Sequence, residues 1–311
     1  MADARAAKAS FGTANRNDRS ESRFASRVSG APYDALVAPR ISVLVPCYDD
    51  GATVREAVDS ITEDEEVEVV LIDDGSRDPH TVAVLDDLAA RGAVRLIRQA
   101  NGGVAAALRA GTAAATAPYV FILNSDDLAE PRALAALADA LDADPGADFA
   151  FGWIHFFGDV DFVARQPAWN PWILLHANRW AISSLYRRDA LDAVGGVPEG
   201  TAYEDWDLLL GFAEQDRRGL LVPRVVLHYR QHGIARRNRG AQSDLRRQYA
   251  ALRARHGALF AREPELRRRY RLPLRTRLAY RLQLHAGLLL PPGVVPRLLA
   301  LKLRSRQALG R

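Results

Sequence analysis

The sequence predicts an α/β fold: a doubly wound, mostly parallel sheet, followed by an aromatic-rich half and a helical C-terminal extension. Three features of the chain point to it. Short apolar runs rich in β-branched residues alternate with helix-patterned segments across short links, in the order βαβαβαβ. Three of those runs stop at neighbouring aspartates: Asp49-Asp50, Asp73-Asp74 and Asp126-Asp127. Charge then shifts along the chain, with 17 basic against 3 acidic side chains in residues 241–311 and 25 against 35 before them. The expected organisation is a loosely attached segment 1–37, two halves at 38–148 and 149–240, and a basic tail at 241–311.

Taken in order, residues 1–37 are rich in Ala, Ser, Arg and Asn without periodicity, which predicts disorder. Ile41 to Pro46 reads as a buried strand that ends where proline has no N–H to give a ladder. Beyond the turn Cys47-Tyr48-Asp49-Asp50-Gly51, a helix is expected from Thr53 to about Ile61. Val67 to Ile72 is a second strand, closing on Asp73-Asp74-Gly75-Ser76. A helix over Pro79 to Arg91 and a strand over Val94 to Ile97 follow. Asn101-Gly102-Gly103 then opens an alanine-rich helix over 104–115.

The organising strand is Tyr119-Val120-Phe121-Ile122-Leu123, which halts at Asn124-Ser125-Asp126-Asp127. Adjacent carboxylates repel unless a cation, a basic group or water compensates them. Asp126 and Asp127 read either as the start of the next helix, where the dipole favours acids, or as ligands at a strand tip. Hard oxygen donors there suit Mg²⁺ or Mn²⁺ held jointly with substrate phosphates. Three acidic tips on one edge of a parallel sheet favour the second reading. No Gly-x-Gly-x-x-Gly follows the first strand and no Gly-Lys-Ser/Thr loop occurs, so a Rossmann dinucleotide site and a P-loop are disfavoured.

The second half is predicted to hold a helix from Ala133 to Asp142 and strands over Phe149–Phe156, Ala181–Tyr186 and Val225–Leu227. Trp169, Trp172, Trp180 and Trp206 read as core or as platforms for a sugar face. In Tyr203-Glu204-Asp205-Trp206, two acids precede an apolar helix, with Asp205 pointing away from the core. Asp205 is then either a cap or a general base. In His228-Tyr229-Arg230-Gln231-His232, either histidine is a candidate ligand or a structural group.

Ser42 to Tyr48, Leu71-Ile72-Asp73-Asp74-Gly75-Ser76 and Leu123 to Asp127 together resemble the nucleotide-sugar domain of family 2 glycosyltransferases, the GT-A fold, from about Ile41 to His232. The resemblance implies an inverting, metal-dependent hexosyltransferase that moves a sugar from a UDP-, GDP- or dTDP-sugar to a glycan or lipid-linked acceptor. It places Pro46, Tyr48 and Asp50 around the base and gives Asp74 the reading of that base. Asn101, Gly103 and Arg109 fall beside the donor, and Asp126 on its sugar or ribose side. Asp127 and His232 become ligands of Mn²⁺ or Mg²⁺, Asp205 the base, and Glu204 its neighbour. Asn124-Ser125 stands where the family has its first acid, and Leu108-Arg109 where it commonly has Arg-Asn. Arg109 is a displaced cation or a solvated helix residue. The alternatives are a catalytically weak binding protein on the same scaffold, or a nucleotidyltransferase.

The single cysteine, Cys47, excludes an internal disulfide framework and fits a reducing compartment. Residues 1–40 hold no signal-length apolar core and no run reaches roughly 20 apolar residues, so the expected location is cytoplasmic, free or peripheral on the inner face of the plasma membrane. From Ser243 the chain reads as basic helices (244–260, 263–283 and 297–306). Their arginines and leucines suit an anionic membrane surface, the acidic body, or a homo-oligomer contact. Nucleic acid is not an expected partner.

Overall fold

The structure, a computed structural model, describes residues 38–200, 203–231 and 245–289. Expectations for residues 1–37, for His232 and for the helix 297–306 lie outside the described residues.

Strand β1 (Ile41–Cys47) is buried along its whole length and pairs in parallel with β2 (Val67–Asp73) and β4 (Tyr119–Ile122). Strand β3 (Arg95–Arg98) extends the sheet beyond β2. Helices α1 (Val54–Asp59), α2 (Pro79–Ala90) and α3 (Val104–Ala114) make the crossovers. Asp78 starts α2 by accepting from the backbone N–H of His80 and Thr81, and Pro79 sets the first helical φ. Because β1 lies between β2 and β4, the winding direction reverses between β1 and β4. Open α/β sheets bind their ligands at such a switch point, outside the carboxyl ends of the strands.

The sheet continues past β4 through β8 (Leu185–Arg187), β6 (Phe149–Gly158), β9 (Gly219–Gln231) and β5 (Leu128–Ala129), and β7 (Phe162–Ala164) pairs with β6. One continuous sheet therefore spans both halves of the chain. Helices α4 (Ala133–Ala143), α5 (Pro171–Leu174), α6 (Arg188–Ala193) and α7 (Glu204–Glu214) complete the body. Period-2 alternation divides the core between two faces. Ile41, Val43 and Val45 pack with residues of α1, α2 and α4, whereas Leu44 and Ile72 pack with residues of α3 and α7. Trp169, Trp172, Trp180 and Trp206 are all buried there, so the core reading of the tryptophans holds. Between β6 and β9 the register shifts around Trp153. Gly152 makes room for this: a Cβ there would lie 2.6 Å from the Arg224 carbonyl oxygen and 2.5 Å from Val226 Cγ1.

Helices α8 (Leu245–Arg255), α9 (Gly257–Ala261), α10 (Glu263–Arg269) and α11 (Leu274–Leu289) form the extension. Leu252, Leu259 and Leu266 are essentially fully buried against the body, and burial stabilises by about 1.5–3 kcal/mol for each such side chain. The extension is also tied to α7 by polar bonds. His256 donates from Nε2 to Asp207 Oδ1 (2.7 Å) and from Nδ1 to Glu214 Oε2 (2.9 Å). Arg255 pairs with the same buried Asp207. Tyr249 donates its hydroxyl to the Leu175 carbonyl at 2.7 Å and packs its ring on Trp206.

Several segments differ from the sequence expectation. Ladder pairing begins at Leu185 rather than Ala181, because Ser184 bonds locally, its N–H to Ile182 O and its hydroxyl to Ala181 O. The two-residue strand β5 stands unexpected between Asp127 and α4, which starts at Ala133 as predicted, after Pro131 and a left-handed Arg132. The helix expected over 244–260 breaks at His256, and that over 263–283 breaks before Pro273.

Gly152→Ala should lower the unfolding free energy by about 1–3 kcal/mol, since backbone blocks the new methyl on one side; an unchanged urea midpoint would refute the close approach. For His256, burial pushes the pKa down, but the hydrogen bonds to Asp207 and Glu214 and their charges together outweigh it, and the net shift is upward. A raised folded-state value gives stabilisation that is complete below the ordinary value of 6.5 and is lost as pH rises through the folded value. The melting-temperature deficit of His256→Asn should therefore be largest near about pH 6 and shrink toward about pH 9. A constant deficit would exclude a charged imidazole.

Candidate active site

The tips of β1, β2 and β4 are joined by hydrogen bonds. Asp74 N–H donates to the Cys47 carbonyl at 2.9 Å, linking the exits of β2 and β1. Cys47 itself is buried, and burial pushes its thiol up to about 12. Asp49, in a left-handed conformation, accepts from the N–H of Arg77 (2.7 Å) and Asp78 (2.8 Å), so it fixes the loop after β2. Asp73 accepts from Ser76 N–H at 2.8 Å and Arg98 Nε at 3.2 Å.

Asp74 is 4% exposed, and both its oxygens are engaged. Oδ1 accepts from Gln99 Nε2 (2.8 Å) and Gly102 N–H (2.9 Å), and Oδ2 accepts from Gly103 N–H (2.8 Å). It thereby holds the loop 99–103 against the sheet, with Asn101 exposed on that loop. Gly103 takes φ +84°, as the loop's entry into α3 requires. Gly75 sits so close beneath that a Cβ would lie 2.8 Å from Asn101 N.

Across the switch point, Ser125 donates its hydroxyl to Asp50 Oδ2 at 2.8 Å. Tyr48, 40% exposed, and the buried Pro46 flank this contact along the chain. Asp127 is 1% exposed; its Oδ2 accepts from Asn124 Nδ2 (2.9 Å) and its Oδ1 from Arg230 N–H (2.9 Å). Arg230 also donates from Nε to the Asp126 carbonyl (2.9 Å), pairs with Glu56 and lies over the Phe157 ring. Arg109, on α3, forms an ion pair with Glu199.

Asp205 is held by a different set of bonds. Its Oδ2 accepts from Asn178 Nδ2 (2.7 Å) and its Oδ1 from Trp206 N–H (2.7 Å). Trp206 is in turn anchored by donating Nε1–H to the Leu174 carbonyl at 2.8 Å. Glu204 precedes it in the first turn of α7. Both ring nitrogens of His228 are engaged, one by His155 Nδ1 (2.8 Å) and one by Glu130 Oε2 (2.5 Å).

The structure thus brings Asp50 to Ser125, Arg230 to Asp126-Asp127, and Asp74 to Gly103, and seats Asp205 separately at the head of α7. Sequence reasoning overlooked Ser125 as a bridge, Asn178 as the partner of Asp205, and Arg230 as a cover over Asp126. Arg230 stood in a segment already singled out for its histidines, and its charge was the available signal. Asn178 carried no local signal, because only tertiary folding brings it to Asp205.

The residues present fit an oxygen-liganded divalent ion. The Asp127 carboxylate carries two hard oxygens of the type such an ion takes, and Asn124 and the Arg230 N–H fix their positions. Among the described residues no group of three or more metal-type side chains converges. The donor set is that of an ion held by one or two carboxylates together with substrate phosphates.

The family model "Glycosyl transferase family 2" matches residues 42–195. The O-antigen biosynthesis protein RfbC of Myxococcus xanthus is 28% identical over 215 residues, 66% of this chain and 17% of that protein. An uncharacterized protein of Sinorhizobium fredii is 30% identical over 209 residues, 62% of this chain and 22% of that protein. The chain thus spans about a fifth of these curated relatives. Among solved structures, Staphylococcus aureus TarS residues 1–349 superpose with TM-score 0.59 at 16% identity, covering 80% of this chain and 72% of that one. The same TarS segment in complex with UDP-GlcNAc gives 0.58 at 16%, covering 80% and 73%. The mannosyltransferase PcManGT of Pyrobaculum calidifontis, in complex with GDP-Man and Mn²⁺, gives 0.51 at 20% identity, covering 92% and 86%. With the winding reversal, the joined acidic tips and a family match that begins in β1 and runs past α6, the chain belongs to glycosyl transferase family 2 and has the GT-A fold.

Proposed function

We propose that the protein transfers a hexose from a nucleotide-diphosphate sugar to an acceptor hydroxyl with inversion at the anomeric carbon. The observation that carries this reading is the Ser125–Asp50 bond across the switch point, which sets Asp126-Asp127 beside the Tyr48–Asp50 turn. The base of the donor lies against Pro46, Tyr48 and Asp50. Asp74 acts through the loop it holds, presenting Asn101 and Gly103 to the donor, with Arg109 on the helix beyond. The UDP-GlcNAc and GDP-Man complexes of the structural neighbours support a nucleoside-diphosphate donor. The relative named for O-antigen biosynthesis supports a glycan or lipid-linked acceptor, and a role in envelope polysaccharide or glycolipid synthesis.

Asp127 is the carboxylate for a Mn²⁺ or Mg²⁺ ion, with Asp126 toward the ribose or sugar and His232 a further ligand. When bound, such an ion neutralises charge developing on the departing diphosphate. Asp205 is the general base. Asn178 and the Trp206 N–H fix the plane of its carboxylate, which takes the acceptor proton. As the acceptor oxygen bonds to the anomeric carbon, the bond from that carbon to the diphosphate oxygen breaks, the electron pair leaves with the diphosphate, and the proton passes to Asp205. Glu204 orients the acceptor. The reaction is placed at the cytoplasmic face of a membrane, by a monomer or a homo-oligomer.

Asp205→Asn should still bind nucleoside diphosphate but lose transfer by about 10²–10⁴-fold. Near-normal transfer would move the base to Glu204, and an NMR spectrum showing a retained anomer would exclude single displacement. Asp127→Asn, close in shape, should lose the Mn²⁺-dependent gain in UDP or GDP affinity measured by calorimetry, and Asp126→Asn should lose less. An undiminished Mn²⁺ effect in Asp127→Asn would remove Asp127 as a ligand.

A further inference from the structure

Helix α11 is seated on one side only. Leu284 is buried, Tyr280 and Leu288 pack on the core, and Arg281 donates to Glu263 at 2.7 Å while lying over Trp172. The other side carries Leu274, Leu278 and Leu282, which are 63%, 55% and 71% exposed. No other large apolar side chain among the described residues is as open to solvent. At spacings of four residues the three share one helical face and form a strip about 12 Å long. Exposed leucines scattered singly are ordinary, but a row of three on one helix is a contiguous patch.

The surroundings of the strip are basic. Arg271 and Arg275 are exposed beside its first turn, and Arg267 and Arg268 are exposed on α10 just before it. None of these four arginines is in an ion pair among the described residues, although the body offers many carboxylates. Arg255, Arg262, Arg269 and Arg281, by contrast, do pair with acids. The extension has therefore used Arg255, Arg262 and Arg269 for docking to the body and Arg281 for tying two of its own helices, and left another set around the leucines. No helix of the described residues is long and apolar enough to cross a membrane.

We propose that the α11 face is a docking surface for an anionic lipid bilayer, with Leu274, Leu278 and Leu282 entering the headgroup boundary and Arg267, Arg268, Arg271 and Arg275 meeting lipid phosphates. A bilayer of acidic lipids supplies both complements at once: apolar depth for a row of leucines and negative charge on either side of it. The sequence beyond residue 289 continues in the same character, with Leu298, Leu299, Leu301 and Leu303 among Arg297, Lys302, Arg304 and Arg306. The inference does not depend on the sugar-transfer reading, because it concerns a surface that holds none of the proposed catalytic groups.

The test is sedimentation of the 311-residue chain with vesicles of phosphatidylglycerol mixed with phosphatidylcholine, or of phosphatidylcholine alone, across a salt series. Binding is expected to the anionic vesicles, at least tenfold weaker binding to the neutral ones, and release as salt rises. Leu278→Ser with Leu282→Ser, both exposed, should keep the wild-type melting temperature and weaken vesicle binding by at least about tenfold. Arg271→Gln and Arg275→Gln should each weaken it about fivefold at low salt. Asp205→Asn should bind vesicles like the wild type, so a failed catalytic assignment leaves this result intact. Equal partition to both vesicle types, no binding to either, or unchanged binding of the leucine variant would overturn the proposal. So would a concentration-dependent dimer in solution that the leucine substitutions abolish, because the face would then be a contact between copies of the chain.

Discussion

A carboxylate taken out of water must have its oxygens filled by donors, and that requirement shapes the carboxyl edge of this sheet. Asp127 is the clearest case. Its two oxygens are met by the side chain of Asn124, on its own turn, and by the backbone of Arg230, at the far end of β9. The second bond closes the gap between the parallel half of the sheet and the mixed half. Asp74 does the same on the other side of β1, where three donors from residues 99–103 converge on it. An acid at a strand tip is thus a clamp for a loop that has no ladder of its own. Loop 99–103 therefore cannot swing away from the sheet without taking these donors from the Asp74 oxygens.

The helical extension extends this logic to α7. Its leucines bury apolar surface, but direction comes from the polar bonds between Arg255, His256, Asp207 and Glu214. Asp207 lies two residues from Asp205, in the same first turn. A buried charge loses much stability if its partner is removed, so the extension and the head of α7 are energetically coupled. Residues after 244 are consequently part of the architecture around Asp205 rather than an appendage to it.

Much of this was legible in the sequence. The strand–helix alternation from Ile41 to Leu123 was plain, because β1, β2 and β4 are short β-branched runs with buried residues on both faces and turn residues mark the links. The three acidic tips were visible for the same reason. What one-dimensional reading missed was tertiary. Ser184 curls its own backbone, so the strand expected from Ala181 starts at Leu185. Two residues, Leu128 and Ala129, are too few to show a period, yet they pair with β9 as a strand of their own. Asn178 meets Asp205, and Ser125 meets Asp50, only because separate elements are packed side by side. Arg109 read as a displaced cation or a solvated helix residue, and its partner Glu199, 90 residues away, could not be seen in the sequence.

The sole thiol of the chain has a practical side. Cys47 is 2% exposed, and burial beside three aspartates raises its pKa to about 12. Thiolate, not thiol, is the reactive form, so this cysteine is chemically quiet near neutrality. The native chain already behaves as a cysteine-free background. A single cysteine introduced at an exposed position would accept a maleimide dye or spin label alone, with no need to remove a native residue from a strand buried along its whole length.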